Sequence, residues 1–476
     1  MPDFVPLLSA LVLAAHGLGL ASAAHVLMSG RTPQGVVAWI GFLLTIPYVA
    51  VPLYWVFGLR RYDGYVDARH ARPSPFDGVV EELRMNTAAF VEEVPARTDL
   101  VVALERLVQL PLVGSSHVRT LVDGDAAFGC VEAAIDAATS YVLLQFFIVR
   151  DDGLGRRVSD ALVRARERGV AVHFLYDEVG SRTLTDAFRE RLRSSGARIE
   201  AFATTRRSHR FQLNFRNHRK LVVVDGVRAF TGGHNLGDEY LGLHPELSPW
   251  RDTFFELEGP VVQPLQLAFL EDWYWATDEI PDWRWEPRPA EGGPPVRALV
   301  LPTGPADEFE SGTLLFVSLF HSAQRRLWIS TPYFVFDGQI LSALQLAALR
   351  GVDVRILVPE HADYETAYYA GWSFHREVLD AGCRIFRYDA GFMHQKAVLV
   401  DDDLALIGTM NLDNRSMRLN FELSVLVEGS SFAEELGGVL EADFEASNEV
   451  TLADMEETTT WFRLKARAAR LFAPIL

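Results

Sequence analysis

The chain is poor in cysteine, in lysine and in net positive charge, and two of these shortages exclude classes of protein. Among its 476 residues there are two cysteines, Cys130 and Cys383, far apart and outside any Cys-Xaa-Xaa-Cys spacing. Neither a disulfide framework nor a zinc site is therefore predicted, and a reducing compartment suits the chain. The formal net charge of −18 opposes nonspecific binding to nucleic acid.

Composition also excludes disorder and a single small module. Hydrophobic residues make up 49% of the chain and charged residues 23%, so a sizeable core can be buried. At roughly 100 to 200 residues per domain, the length predicts two to four folded units.

Two apolar runs open the chain. Residues 4–28 contain no Asp, Glu, Lys or Arg and could cross a hydrocarbon core, which takes about 20 residues. Residues 36–57 are also uncharged, with aromatic residues near both ends, where such rings favour the membrane interface. A short Gly/Pro turn separates the runs, so we predict a transmembrane helical hairpin, with Pro47 and Pro52 kinking its second helix. A cleaved signal peptide is disfavoured because the chain lacks a basic start.

The basic residues around these runs predict the orientation of the hairpin. One arginine, Arg31, lies in the turn, whereas four follow the second run: Arg60, Arg61, Arg69 and Arg72. By the positive-inside rule, the long C-terminal portion then lies in the cytoplasm.

The rest of the chain repeats itself. In each copy a helical pattern ends at a glycine suited to a helix C-cap, Gly169 or Gly351, and passes into an apolar strand. Further strand patterns lie upstream, at 141–149 and 326–330. The alternation predicts an α/β fold class, with two similar α/β sandwich domains. The predicted boundaries are 1–60 for the hairpin, 61–115 for a helical connection, 116–290 and 291–450 for the two domains, and 451–476 for a C-terminal helix.

Both copies contain the pattern His-Xaa-Lys-Xaa4-Asp. Its residues are His218, Lys220 and Asp225 in the first copy and His394, Lys396 and Asp401 in the second. The register continues without a gap to Asn235 and Asn411, because 394 − 218 and 411 − 235 both equal 176. Two matched copies favour a catalytic role over a chance core histidine in either copy.

The spacing suits phosphate chemistry. Histidine and lysine at alternate positions of a strand project from one face, so an imidazole and an ammonium can meet one phosphate group. Only three lysines occur among 45 basic residues, and two of them lie in this motif. One neutral imidazole can attack phosphorus while a second, protonated one donates to the departing alkoxide, without a metal or another cofactor. The residues alone leave open which histidine has which role.

These paired motifs resemble the phospholipase D superfamily, and more narrowly the chain is similar to its bacterial cardiolipin synthases. The likeness includes Thr331-Pro332-Tyr333-Phe334, Trp250-Arg251-Asp252 and the ending Ala473-Pro474-Ile475-Leu476. Gly233 stands where many superfamily members have serine. The resemblance implies a multi-pass enzyme of the bacterial inner membrane that makes cardiolipin and glycerol from two phosphatidylglycerol molecules through a phosphatidyl-histidine. Its partners would be phosphatidylglycerol and other anionic membrane lipids, and nucleic acid is not expected.

The resemblance also implies roles for the motif residues. His218 would be the nucleophile and His394 the general acid and then base. Four side chains would bind the nonbridging phosphate oxygens: Lys220, Lys396, Asn235 and Asn411.

The repeat also suggests which residues support the histidines. Aligning the Glu-Gly endings of 252–259 and 422–429 places Asp252 opposite Glu422, and we expect each carboxylate to hold one histidine in one tautomer. Asp225 and Asp401 belong to the catalytic motif, but we expect them to order the loop after the strand.

Several alternatives stay open. A hydrolase that uses water, or a transferase with another phospholipid donor, would share every predicted catalytic residue. A nuclease is disfavoured by the hairpin and the acidic balance, and an inactive scaffold by the integrity of both motifs. A positive island either binds anionic headgroups or is a solvated loop; it comprises Arg206, Arg207, His209, Arg210, Arg216 and Arg219. The C-terminal residues 461–475 predict a helix that either lies on the membrane or docks on the protein. The oligomeric state is not predicted.

Overall fold

A computed structural model describes residues 4–29, 33–58, 75–91, 98–202, 214–361 and 363–476. The N-terminal helices form one compact unit, and the described residues from 75 onward, apart from 214 and 215, form another. The arginines that predict the orientation of the hairpin, and most of the positive island, lie outside the described residues.

The N-terminal unit is helical. Its elements are the helices Phe4–Ser29, Pro33–Thr45 and Pro47–Leu53 and the π-helical turn Tyr54–Gly58. Ser9–Ser29 is long and apolar enough to cross a membrane, and it is the one such helix in the described part of the chain. The second apolar run is divided, because Pro47 has no N–H and restricts Ile46, whose backbone is not helical. The predicted effect of Pro47 is confirmed, but the second run is not one continuous helix.

These helices pack on one another through a small core. It comprises Ala23, Val26, Leu43, Ala50 and Tyr54. The outward side chains are apolar as well, since Leu13 is 74% exposed and Leu20 63%. An apolar exterior of this kind is typical of helices that face lipid.

The second unit alternates helices and strands twice. Before the repeat lie the helices Asp77–Thr87 and Thr98–Val108, with a 3₁₀ turn at Ala88–Phe90. The strands of the first half are Val113–Val122, Tyr141–Phe146, Ala171–Asp177, Arg198–Phe202, Arg216–Asn217, Leu221–Val224, Arg228–Gly232, Trp250–Arg251 and Thr253–Glu258. Its helices are Asp123–Ala137, Gly153–Glu167, Asp186–Ser194 and Val262–Thr277, with a 3₁₀ turn at Asp238–Leu241.

The second half repeats this succession. Its strands are Val296–Thr303, Arg326–Ser330, Phe334–Val335, Asp353–Pro359, Arg384–Tyr388, Phe392–Met393, Ala397–Val400, Leu404–Gly408, Leu412–Asp413, Asn420–Glu428 and Ser447–Val450. Its helices are Ser311–Ser322, Gly338–Leu349, Glu365–Leu379, Asn414–Arg418, Ser430–Glu445, Leu452–Glu457 and Thr460–Arg470, with a 3₁₀ turn at Ala473–Ile475.

Sixteen strands of the two halves form one continuous sheet. The halves meet where Val113–Val122 pairs antiparallel with Val296–Thr303, and on each side of this pair the strands follow the same order. Each half has parallel strands on its outer side and antiparallel strands, which include the one after the motif lysine, toward the centre. In the second half one more strand, Ser447–Val450, pairs antiparallel at the edge. The predicted α/β class and the internal repeat are confirmed.

Equivalent helices in the two halves begin and end in the same way. The carboxylates of Asp152 and Asp337 cap them by accepting hydrogen bonds from backbone amides. Gly169 and Gly351 follow their last turns, each with φ of 87°, a left-handed conformation that glycine adopts without strain. The glycine C-caps predicted from the sequence are therefore present in both halves.

The C-terminal helix Thr460–Arg470 docks on Glu365–Leu379. Phe462 packs edge-on against the rings of Tyr369 and Trp372. Its opposite face is open, and Trp461 is 63% exposed. The docking alternative is therefore correct for one face of this helix.

Candidate active site

His218 is positioned by a strand pair that joins the two halves. Arg216–Asn217 lies parallel to the start of Asn420–Glu428, and the amide of His218 donates to the carbonyl oxygen of Phe421 at 2.9 Å. This register brings Glu422 to the ring, with Oε1 and Oε2 at 2.9 and 3.0 Å from Nδ1. Nε2 of His218 is then the nitrogen left for chemistry.

His394 is positioned by the equivalent pair. Phe392–Met393 lies parallel to Trp250–Arg251, and the amide of His394 donates to the carbonyl oxygen of Arg251 at 2.8 Å. Oδ2 of Asp252 lies 2.8 Å from Nδ1 of His394. Each histidine is thus held by a carboxylate from the opposite half of the chain. Neither histidine would have its carboxylate without the other half.

The two carboxylates are held differently. The hydroxyl of Thr409 donates to Oε2 of Glu422 at 2.6 Å, and the side-chain amide of Asn420 donates to Oε1 at 3.2 Å. Gly233, the repeat counterpart of Thr409, has no side chain, and a Cβ there would lie 2.0 Å from Oδ1 of Asp252. Glycine at position 233 therefore makes room for the carboxylate of Asp252.

Ionisation of the site follows from burial and from its charged neighbours. Burial lowers the pKa of His218 to about 4 and that of His394 to about 3, against the opposing effect of their carboxylates. Burial alone would raise the pKa values of Asp252 and Glu422, but nearby histidines and lysines outweigh it and lower both. Ionised carboxylates facing neutral imidazoles hold the proton on Nδ1 and leave the lone pair on Nε2.

The two motif lysines lie beneath the histidines. Nζ of Lys220 donates to the carbonyl oxygen of His218 at 2.7 Å, and Nζ of Lys396 donates to that of His394. Both side chains are buried, which lowers the pKa of each, to about 8 for Lys396. Neither lysine lines the main cavity, so the structure does not bring them to the surface that a phosphate would first meet.

Both histidines and both predicted asparagines line one cavity of about 490 Å³. Asn235 accepts a hydrogen bond from the amide of Ile148 and donates one to the hydroxyl of Tyr240. Asn411 donates to Asp413 at 3.2 Å, while its side-chain oxygen has no hydrogen-bond partner within the described residues. The cavity therefore has the size that binds small molecules and headgroups, and its wall combines these polar groups with a larger apolar surface.

Asp225 and Asp401 lie outside this cavity. Each occupies a left-handed turn and accepts hydrogen bonds from the backbone amides of successive residues: Thr139, Ser140 and Tyr141 for Asp225, and Gln324, Arg325 and Arg326 for Asp401. They tie the turn after the motif strand to the start of a neighbouring strand. These hydrogen bonds are those of the expected loop-ordering role, and a catalytic contribution by either aspartate stays a prediction.

The positive island is not one surface. Arg219 is 1% exposed and its guanidinium lies 2.9 Å from Asp272, so it is part of the core and not of a headgroup-binding patch. Arg216 lines the cavity.

The sequence did not predict Arg415, Tyr333 or Asp363 as part of the cavity wall. The repeat offers no signal for Arg415, because its counterpart at 415 − 176 is Glu239. Tyr333 lies in a stretch that carries the family likeness, but no role followed from it.

Comparison with known proteins agrees with this geometry. Residues 131–273 and 316–444 match the family described as cardiolipin synthase, PLD-like domain. The chain is 46% identical to cardiolipin synthase A of Pseudomonas entomophila over 467 residues, which is 97% of each chain. It is 44% identical to cardiolipin synthase A of Pseudomonas fluorescens over 474 residues, 98% of each chain. Among solved structures, phosphatidylserine synthase of Haemophilus influenzae shares the fold with a TM-score of 0.59, at 16% identity, over 79% of this chain and all of that one.

Proposed function

Because the chain belongs to the cardiolipin synthase family with phospholipase D-like domains, we propose that it is a membrane-bound phosphatidyltransferase that makes cardiolipin and glycerol from two phosphatidylglycerol molecules. The observation that carries the proposal is the pair of crossed contacts, His218 with Glu422 and His394 with Asp252, at one cavity. Two histidines oriented in this way suit a double displacement at phosphorus.

In the first step, Nε2 of His218 attacks the phosphorus of the donor lipid. The N–P bond forms as the bond from phosphorus to the glycerol oxygen breaks, and His394 donates a proton to that oxygen. Burial favours the neutral form of His394, and the negative charge of the phosphodiester favours its protonated form. The products are a phosphatidyl-histidine and free glycerol.

In the second step, a hydroxyl of the headgroup of a second phosphatidylglycerol attacks the phosphatidyl-histidine. His394 accepts the hydroxyl proton, an O–P bond forms, the N–P bond to His218 breaks, and cardiolipin leaves. If water attacks instead, the product is phosphatidic acid, so the exclusion of water decides the reaction.

The nonbridging oxygens need donors that are already in place. Asn235 and Asn411 line the cavity and can offer their amides, and Arg415 adds a guanidinium to the same wall. We place Lys220 and Lys396 behind them, where their charges stabilise the developing negative charge from below.

The membrane anchor is proposed from the N-terminal unit. Phe4–Ser29 is long enough to span a bilayer, and the outward leucines of the unit suit lipid. We further propose that the divided second run returns through a bacterial inner membrane as a kinked helix. Both catalytic halves then lie on the cytoplasmic side of that membrane. The domain limits 116–290 and 291–450 stay a prediction.

The test is an assay of the purified full-length protein with phosphatidylglycerol in mixed micelles, without added metal or nucleotide. We expect cardiolipin and glycerol in equal amounts from the wild type and none from His218→Ala. Phosphatidic acid as the main product would make the protein a hydrolase. No product from phosphatidylglycerol, with product from another phospholipid, would show a different donor.

A further inference from the structure

A second, smaller cavity adjoins the catalytic one. Four residues line both: Tyr333, Asp363, Tyr364 and Ala367. The hydroxyl of Tyr333 donates a hydrogen bond to the carboxylate of Asp363, so this pair forms part of the wall between the cavities. Asp363 is near enough to Lys396 for the charge of each to shift the pKa of the other. The small cavity therefore opens next to the reacting groups.

The small cavity is lined by polar groups that the fold leaves unsatisfied. His375 is 3% exposed and Nδ1 of its ring has no hydrogen-bond partner among the described residues. Nε1 of Trp372 is likewise buried and has no partner in that part of the chain. Arg387, 6% exposed, donates to the hydroxyl of Tyr368 at 2.8 Å. Buried groups without partners cost free energy unless a ligand or a water satisfies them.

The size and charge of this cavity indicate a neutral ligand with several hydroxyls. The volume of this cavity that is open to water centres is about 30 Å³, so the cavity has room for roughly two or three water molecules. Nε of Arg387 lies 3.1 Å from the carboxylate of Glu360, so its charge is already matched. Burial lowers the pKa of His375 to about 3, which keeps this ring neutral. An anion would therefore find little unpaired positive charge, whereas a three-carbon polyol would find both donors and acceptors.

We propose that the small cavity binds the two free hydroxyls of the donor's glycerol headgroup, so that Tyr333, Asp363 and the cavity behind them select phosphatidylglycerol as the donor lipid. This inference rests on the proposed function. The headgroup then occupies the small cavity while its third oxygen, the one bonded to phosphorus, stays between the histidines. When that bond breaks, the glycerol oxygen takes its proton from His394 and the whole molecule leaves as glycerol.

The reverse of the first step gives a direct test. Exchange of one phosphate ester for another needs no energy source, so free glycerol or ethanol can take the phosphatidyl group from His218. Ethanol has one hydroxyl and nothing to place in the small cavity. With cardiolipin as the donor, the ratio of kcat/KM for labelled glycerol to kcat/KM for labelled ethanol measures recognition of the additional hydroxyls, and ethanol serves as the control for general damage.

Three variants alter the proposed contacts. Asp363→Ala and Tyr333→Phe remove polar groups from the shared wall, and Asp363 is an exposed residue whose loss should not unfold the protein. Gly371 lines the small cavity alone, and a Cβ there would lie 3.4 Å from the nearest atom, the carbonyl oxygen of Phe334. Alanine at 371 therefore fits, favours the helix, and fills part of the small cavity. Ser373→Ala is the matched control, because its hydroxyl bonds within its own helix and lines neither cavity.

We expect the glycerol-to-ethanol ratio to fall roughly tenfold in Asp363→Ala, and by about three- to tenfold in Tyr333→Phe and Gly371→Ala, as for the loss of one or two hydrogen bonds. Ser373→Ala should keep the wild-type ratio. An unchanged ratio in Asp363→Ala and Gly371→Ala would overturn the inference and leave water as the occupant. Failure of the proposed function looks different, because the wild type incubated with phosphatidylglycerol would then form phosphatidic acid or no product, and no cardiolipin.

Discussion

The two halves of the active site follow one plan, but their histidines are held in different ways. His218 meets both oxygens of Glu422, which is itself fixed by the hydroxyl of Thr409. His394 meets one oxygen of Asp252. The carboxylate of Asp252 fills the space beside Gly233, the counterpart of Thr409. It accepts hydrogen bonds from the backbone amide of Thr253 and the indole of Trp250. The two histidines therefore match in sequence, but they differ in how the carboxylate contacts the ring and in which groups hold that carboxylate.

The difference matches the two roles in the proposed reaction, in which one histidine is the nucleophile and the other is the general acid and base. A nucleophile must keep one orientation while the N–P bond forms and breaks, and the contacts around Glu422 suit that requirement. A general acid and base must gain and lose a proton. Asp252 meets the ring of His394 through one oxygen. Burial lowers the pKa of His394, and the ammonium of Lys396, 2.8 Å from Nδ1 of that ring, lowers it further and so favours release of its proton. The comparison favours His218 as the nucleophile.

Removing each histidine in turn should have the largest effect and should separate the two roles. Both His218→Ala and His394→Ala should lose on the order of 10⁴-fold or more in turnover of phosphatidylglycerol. A donor whose leaving group is nitrophenol needs no proton, so His394→Ala should still release one equivalent of nitrophenol in a burst, while His218→Ala should release none. Rapid-mixing absorbance measures the burst. A burst from His218→Ala and none from His394→Ala would reverse the two roles.

A smaller effect is expected from the carboxylates. Glu422→Gln and Asp252→Asn keep the shapes but no longer hold the proton on Nδ1, so each should lower turnover by about 10² to 10⁴-fold. With the nitrophenol donor, Glu422→Gln should slow the burst itself, whereas Asp252→Asn should slow only the turnover after it. Equal slowing of the burst by both variants would show that the crossed contacts support the two histidines alike.

The sequence predicts the site residues that occur in both copies of the repeat. It does not predict the contacts that form between the two halves. Matched spacing identifies both histidines and the asparagines, and the shared Glu-Gly ending places Asp252 opposite Glu422. Which histidine each carboxylate holds depends on the short strand pairs across the halves, and strands of two residues leave no periodicity to detect.

A comparison of the two copies cannot find residues whose counterpart in the other copy is of a different type, or that occur in one half alone. Arg415 is matched by Glu239, and the small cavity behind Tyr333 and Asp363 belongs to the second half alone. In the N-terminal unit, hydropathy predicts a second span, but Pro47 divides the helix, because a missing N–H leaves a hydropathy profile unchanged.

Substituting the residue beside each carboxylate tests how the two carboxylates are held. Gly233→Ala places a methyl group where Oδ1 of Asp252 lies, so we expect this carboxylate to move and activity to fall by roughly 10²-fold. Thr409→Val removes one hydrogen bond to Glu422 without changing the space, and we expect a loss of about tenfold. Steady-state assays with thermal unfolding as a folding control measure both. A larger loss in Thr409→Val than in Gly233→Ala would mean that the hydroxyl, and not the space, decides the geometry.

The smallest effect concerns the charge beneath His394. Burial lowers the pKa of Lys396 to about 8, so its ammonium is present below that pH and is lost as the pH rises through it. The positive charge that stabilises the transition state disappears with it, and kcat/KM should fall by about tenfold per pH unit above this point. In Lys396→Arg the side chain keeps its charge throughout this range, so the alkaline limb of the pH profile should move beyond the measurable pH. The variant should be less active than the wild type, because a planar guanidinium fits the space poorly. If the limb near pH 8 persists in Lys396→Arg, it belongs to another group, and the site loses activity in alkali for a reason other than the charge beneath His394.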